Sequence, residues 1–177
     1  MKVINLFAAP GVGKSTTGQI LSGLLSIADY KVEYIPEFAK FATFSNNVAA
    51  LTDQIYMFAK QENRLHVLKD AGLDYVIMDG PLPVALLYCP PTYYKGYAPL
   101  VAEVFHSYDN VNFFLRRNPD LRYKQLGRTQ SEEESERIER QLRSLLNTHG
   151  IECAERMTSK ALPSALFEEI TGNPSPL

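Results

Sequence analysis

Residues 3–27 constrain this chain more than any other stretch. The apolar run Val3-Ile4-Asn5-Leu6-Phe7 leads through Ala8-Ala9-Pro10-Gly11-Val12-Gly13-Lys14-Ser15-Thr16 into Thr17-Gly18-Gln19-Ile20-Leu21. That order reads as a buried strand, a glycine-rich turn and a helix start, the setting a phosphate-binding P-loop requires. The N–H groups of such a turn and of the first helical turn lack partners inside the helix. They converge on phosphate oxygens, and the helix dipole adds positive potential. Gly11 and Gly13 let the backbone curl close to the anion, Lys14 reaches the terminal phosphates as a point charge, and the Ser15 hydroxyl is placed to ligate Mg²⁺. The expected nucleotide-binding set is Pro10, Gly11, Val12, Gly13, Lys14, Ser15 and Thr16. Ala8 stands where the pattern has its first glycine, which a small residue can replace if its φ is negative.

The remaining composition narrows the class. A chain of 177 residues suits one domain with a substantial core, here expected over 1–172 with a frayed tail at 173–177. The formal net charge of −2 offers no global electrostatic case for nucleic acid, so any such case has to be local. Cys89 and Cys153 lack metal or C-x-x-C spacing and read as small buried hydrophobes in a reducing compartment. The first apolar run stops at Pro10 rather than at a cleavage site, and no stretch approaches the ~20 apolar residues that span a bilayer. A soluble, cytoplasmic protein without a membrane partner is expected.

Later segments supply the chemistry around the P-loop. A helix is expected over Gln19–Ile27 and a second strand over Lys31–Ile35, closed by Pro36. Glu37 follows at the carboxyl end of that strand, where ligands bind in open α/β sheets. Residues 46–70 carry an apolar stripe of one long helix, with Gln54, Gln61 and Arg64 either on a solvated face or hydrogen-bonding a substrate. Tyr75-Val76-Ile77-Met78-Asp79 is a buried strand ending in an acid, as a Walker B carboxylate requires. Proline- and tyrosine-rich residues 81–99 either fold over the core or offer rings that stack on a base.

A helix over 99–108 precedes a fourth strand, Val111–Leu115, and then Arg116, Arg117, Arg122, Lys124 and Arg128. These cations form either a solvated basic face or a lid that neutralises a transferring phosphoryl group. Ser131-Glu132-Glu133-Glu134 reads as a capping box for a helix ending at Gly150, with Glu133/Arg137, Glu136/Arg140 and Glu139/Arg143 at (i, i+4). Ile151–Ala154 is a weak fifth strand, and Ser164–Ile170 a last short helix. The guanine-reading Asn-Lys-x-Asp pattern of GTPases is missing.

Together Pro10–Thr16, Glu37-Phe38-Ala39-Lys40, Asp79-Gly80-Pro81-Leu82, Asn112–Arg117 and Gly127–Glu134 resemble the phage-encoded P-loop kinase-like proteins, relatives of nicotinamide-riboside kinases and of deoxynucleoside and nucleotide kinases. The resemblance implies an α/β three-layer P-loop kinase fold, its five-stranded parallel sheet in the order 2-3-1-4-5, with helices on both faces and a basic lid at about 117–130. It implies ATP and Mg²⁺ as cofactors, with Lys14, Glu37, Asp79, Arg117 and Arg128 as catalytic residues and Ser15 and Asp79 at the metal. Glu37 takes the place of the acid that accepts the acceptor's proton, although Glu37 and Asp79 could exchange roles. The implied partners are a nucleotide and a nucleoside-like acceptor, in one version a 5-hydroxymethyl pyrimidine within phage DNA, acted on by a monomer or homodimer in the host cytoplasm. The competing class is a P-loop ATPase or nucleotide-binding switch that has no kinase acceptor.

Overall fold

A computed structural model describes residues 1–119 and 132–177. Five strands, β1 (Lys2–Phe7), β2 (Val32–Ile35), β3 (Tyr75–Met78), β4 (Asp109–Arg116) and β5 (Ala154–Met157), form one parallel sheet in the order β2-β3-β1-β4-β5. The helices are α1 (Lys14–Ile27), α2 (Phe38–Phe44), α3 (Val48–Thr52), α4 (Gln54–His66), α5 (Tyr97–His106), α6 (Glu132–Thr148) and α7 (Leu162–Thr171), with a 3-10 helix at Leu82–Tyr88.

The alternation along β1 explains the layering. Val3 and Phe7 point to one face, where they join Phe58 of α4, Val101 and Phe105 of α5, and Leu142 and Leu146 of α6. Ile4 and Leu6 point to the other, against Leu21 and Leu25 of α1 and Leu166 and Phe167 of α7. Strands covered on both faces must be apolar almost throughout. The exception is Asn5, whose amide donates to Asn110 Oδ1 at 2.8 Å and Asn112 Oδ1 at 3.0 Å. Asn5 is buried and its two partners are partly so, and the hydrogen bonds between them fix the β1–β4 register without an unpaired Asn5 amide.

The structure adds two elements that were not expected, α2 and the 3-10 helix at Leu82–Tyr88, and changes two that were. The helix expected over 46–70 is broken at Asp53, whose backbone is extended (φ −94°, ψ 94°). Two side chains start helices there: Asn47 Oδ1 accepts from Ala50 N–H at 3.0 Å and Asp53 Oδ1 from Tyr56 N–H at 2.9 Å. Short polar side chains compete with the helical ladder in this way. The fifth strand lies three residues later than expected. Gly150 (φ 62°) closes α6, and Ile151 N–H turns back to Leu146 C=O at 2.9 Å, so Ile151 packs in the core before pairing begins at Ala154.

Candidate active site

The P-loop occupies the turn between β1 and α1. Gly11 (φ 87°) and Gly13 (φ 106°) adopt left-handed conformations that side chains resist, and Gly13 is the N-cap of α1. Among the described residues the non-glycine positions with positive φ are Asp29 and Asn46, so Ala8 fits the turn without strain. The first intrahelical bond runs from Thr17 N–H to Gly13 C=O at 2.9 Å, which leaves the amides of Lys14, Ser15 and Thr16 as the helix's leading donors. Val12 is buried and anchors the turn, whereas Thr16 is exposed. Ser135, in the first turn of α6, donates to Pro10 C=O at 2.6 Å and so braces the loop from an element 125 residues later in the chain.

Three charged groups meet over this turn. Lys14 Nζ lies 3.4 Å from Glu37 Oε2 and 3.8 Å from Asp79 Oδ1. Burial alone would lower the Lys14 pKa, but the two carboxylates outweigh it and hold the ammonium above its ordinary value. Asp79, only 1% exposed, follows β3 and receives two hydrogen bonds on Oδ2, from Ser15 Oγ at 2.6 Å and from the Tyr34 hydroxyl at 2.8 Å. Burial, followed by the neighbouring Asp79 charge, pushes the Tyr34 phenol far above the ordinary tyrosine range.

Asp79 Oδ1 is buried with no hydrogen-bond partner. An orphaned carboxylate oxygen beside a serine hydroxyl suits Mg²⁺, which takes hard oxygens and keeps waters and phosphate oxygens as its other ligands. Ser15 and Asp79 therefore fit this ion. Among the described residues no group of three or more His, Cys, Asp or Glu side chains is placed to hold a metal ion.

Glu37 is placed by residues whose role the sequence pattern does not reveal. Gln61 Oε1 accepts from Phe38 N–H at 2.9 Å and the Arg64 guanidinium donates to Pro36 C=O at 3.0 Å, so α4 grips the chain on both sides of Glu37. Neither alternative raised for Gln61 and Arg64 describes this role: Gln61 is buried, and both side chains hold the backbone. Gly80 supplies the remaining condition, because a Cβ there would lie 3.1 Å from Glu37 Cγ and 3.3 Å from its Cα. The glycine after Asp79 therefore does more than end a strand.

Lys14, Ser15, Glu37, Lys40 and Tyr88 line one cleft of about 320 Å³. A smaller pocket of about 50 Å³ adjoins it beside Glu37, walled by Phe38, Met57, Phe58 and Leu82, with Gln54 and Gln61 at its edge. Of the other tyrosines in the 81–99 segment, Tyr93 and Tyr97 turn inward while Tyr94 is exposed. The Tyr97 hydroxyl donates to Gln54 C=O at 2.6 Å, and the Tyr93 hydroxyl accepts from Ile55 N–H at 3.2 Å. Arg117 follows β4, where Thr158 ties Arg116 C=O to the start of the next segment. Arg122, Lys124, Arg128 and Ser131, and with them most of the expected lid and the capping box, lie outside the described residues.

The parallel order, the turn between β1 and α1 and the helices on both faces define the P-loop kinase fold. The chain belongs to an AAA domain family, whose model matches residues 3–160. Solved structures share the fold. Deoxyadenosine kinase from M. mycoides, with dCMP and dCDP bound, is 18% identical over 98% of this chain and 100% of its own, with a TM-score of 0.63. The NadR protein in complex with NR is 15% identical over 99% of this chain, which spans 51% of that one, with a TM-score of 0.68. Shikimate kinase from Bacteroides thetaiotaomicron is 14% identical over 96% of each chain, with a TM-score of 0.54. No curated protein matches the chain. Among the described residues no helix is long and apolar enough to cross a membrane.

Proposed function

We propose that this protein is an ATP-dependent kinase that transfers the γ-phosphate to a hydroxyl of a nucleoside- or nucleotide-type acceptor. The observation that carries this reading is the position of Glu37. It shares a cleft with Lys14 and Ser15, touches Lys14 at 3.4 Å, and has an apolar pocket at its side. The pocket of about 50 Å³ walled by Phe38, Met57 and Phe58 is too small for a ring by itself, but it extends the cleft of about 320 Å³ with an apolar wall beside the carboxylate, which suits a ring-bearing acceptor lying along that cleft with its hydroxyl at Glu37.

In this scheme the amides of the P-loop and Lys14 hold the β- and γ-phosphates, and Glu37 orients the acceptor hydroxyl. The acceptor oxygen forms its bond to the γ-phosphorus as the bond to the β,γ-bridging oxygen breaks. The hydroxyl proton passes to a Glu37 oxygen, and ADP leaves with the electron pair. Ser15 and Asp79 would hold Mg²⁺, which neutralises charge on the phosphate oxygens when bound. Arg117 and Arg128 would close over the transferring group. A base within DNA is one version of the acceptor, with Tyr88 at the cleft wall as a stacking surface.

The AAA domain match favours a second reading, ATP hydrolysis without an organic acceptor. Incubation with γ-labelled ATP and separate pools of nucleosides, nucleotides and hydroxymethylated DNA separates the two. Label in an acceptor supports the kinase, and ATP loss with free phosphate alone supports the ATPase.

A further inference from the structure

Tyr34 lies on β2, one strand away from Asp79, and neither the P-loop pattern nor the acid-tipped strand accounts for it. Its ring passes under α1, at the one helical position that makes room for it. A Cβ on Gly18 would meet Tyr34 Cε2 at 2.9 Å, with Leu6 and Ile77 side chains at 3.1 and 3.3 Å on the other sides. Glycine in a helix interior is otherwise unfavourable. The ring is thus held between helix and sheet so that its hydroxyl reaches Asp79 Oδ2 at 2.8 Å.

The consequence is an asymmetric carboxylate. Oδ2 accepts from both Ser15 and Tyr34, whereas Oδ1 is buried, has no hydrogen-bond partner and faces Lys14 at 3.8 Å. A carboxylate free to turn about its last torsion would lose this orientation, and two donors from different elements, α1 and β2, hold one oxygen in place. We propose that Tyr34 is a positioning residue that fixes the Asp79 carboxylate with Oδ1 presented to the cation side of the site.

This inference rests on the nucleotide·Mg²⁺ part of the proposed function, not on the identity of the acceptor. It is tested without turnover, by titrating Mg²⁺ into protein with a fluorescent ATP analogue and reading nucleotide affinity against Mg²⁺ concentration. Residues that orient metal ligands typically change metal affinity about 10- to 100-fold when lost. Tyr34→Phe is expected to raise the Mg²⁺ concentration at half-effect by about tenfold, with Mg²⁺-free nucleotide affinity unchanged. In an Asp79→Asn background the same substitution is expected to add nothing. A merely structural role would weaken binding with and without Mg²⁺ alike.

Should Tyr34→Phe fail to fold, Gly18→Ala reads the same contact by pushing the ring aside. An unshifted Mg²⁺ curve in the folded variant, or an equal effect in the Asp79→Asn background, overturns the inference. So does wild-type protein whose nucleotide affinity ignores Mg²⁺. Mg²⁺-coupled binding without transfer to any acceptor instead overturns the kinase reading and leaves Tyr34's role standing.

Discussion

Gly80→Ala isolates the placement of Glu37 from every charge in the site. The added Cβ would stand 3.1 Å from Glu37 Cγ, 3.2 Å from Cβ and 3.3 Å from Cα, against an ordinary contact distance that begins at 3.4 Å. Restoring that distance at Cγ needs 3.4 − 3.1, or about 0.3 Å, and the carboxylate, one bond further out, swings by about 0.5 Å. The main chain cannot absorb the movement cheaply, because Gln61 and Arg64 hold Phe38 N–H and Pro36 C=O on either side. A 1 Å misplacement of a reacting group lowers rate by about a hundredfold, so half of that lowers kcat about 3- to 10-fold, or about 0.6–1.4 kcal/mol. Gly80 is not in a left-handed conformation, so alanine adds no backbone strain there. The smaller freedom of the unfolded chain offsets the close contact by about 0.4–1 kcal/mol. The expected pattern is a reduced kcat for acceptor phosphorylation with ATP affinity and melting temperature nearly unchanged. Wild-type kcat in Gly80→Ala would refute the idea that Gly80 sets the position of Glu37.

Gln61→Leu removes the acceptor for the partly buried Phe38 N–H and is expected to destabilise the fold by about 1–3 kcal/mol, seen in calorimetry as a fall of a few to about ten degrees. The same variant should raise the acceptor's KM more than that of ATP, because the grip lies on the Glu37 segment; equal changes in both would contradict it. Burial, with Glu155 nearby, pushes the Cys153 thiol from 9.0 up to about 11. A raised thiol pKa keeps the neutral form, so at pH 8 Cys153 carries about 100-fold less thiolate than at its ordinary value and alkylates correspondingly slowly. Its rate, followed by peptide mass spectrometry, should climb about tenfold per pH unit up to about 11 rather than level off near 9. A plateau near 9 would contradict the burial of this thiol.

What could be read from the sequence follows the range of the interactions involved. The P-loop is local: Gly11, Gly13, Lys14 and Ser15 act through consecutive backbone atoms, so their order is visible in the chain. The apolar runs that became β1, β3 and β4 are similarly plain, since strands buried on both faces need little else. The break at Asp53 is a contest between one side chain and one helical turn, and an apolar stripe running through it hides the outcome. Tyr34, Gly80, Gln61 and Arg64 meet their partners across 45, 43, 23 and 28 residues of sequence respectively. Each sits in an ordinary local context, a strand tyrosine or a helix-face glutamine, and nothing in that context marks it.

In the proposed reaction Glu37 serves an acceptor hydroxyl in a cleft whose P-loop holds the phosphates. The most direct measurement compares wild type with Glu37→Gln for transfer of label from γ-labelled ATP into an accepted nucleoside, nucleotide or hydroxymethylated DNA, with Mg²⁺·ATP affinity measured alongside. Loss of a general base lowers rate about 10²- to 10⁴-fold. A loss of that size is expected in Glu37→Gln, with ATP affinity within about threefold of wild type. Undiminished transfer by Glu37→Gln would contradict it.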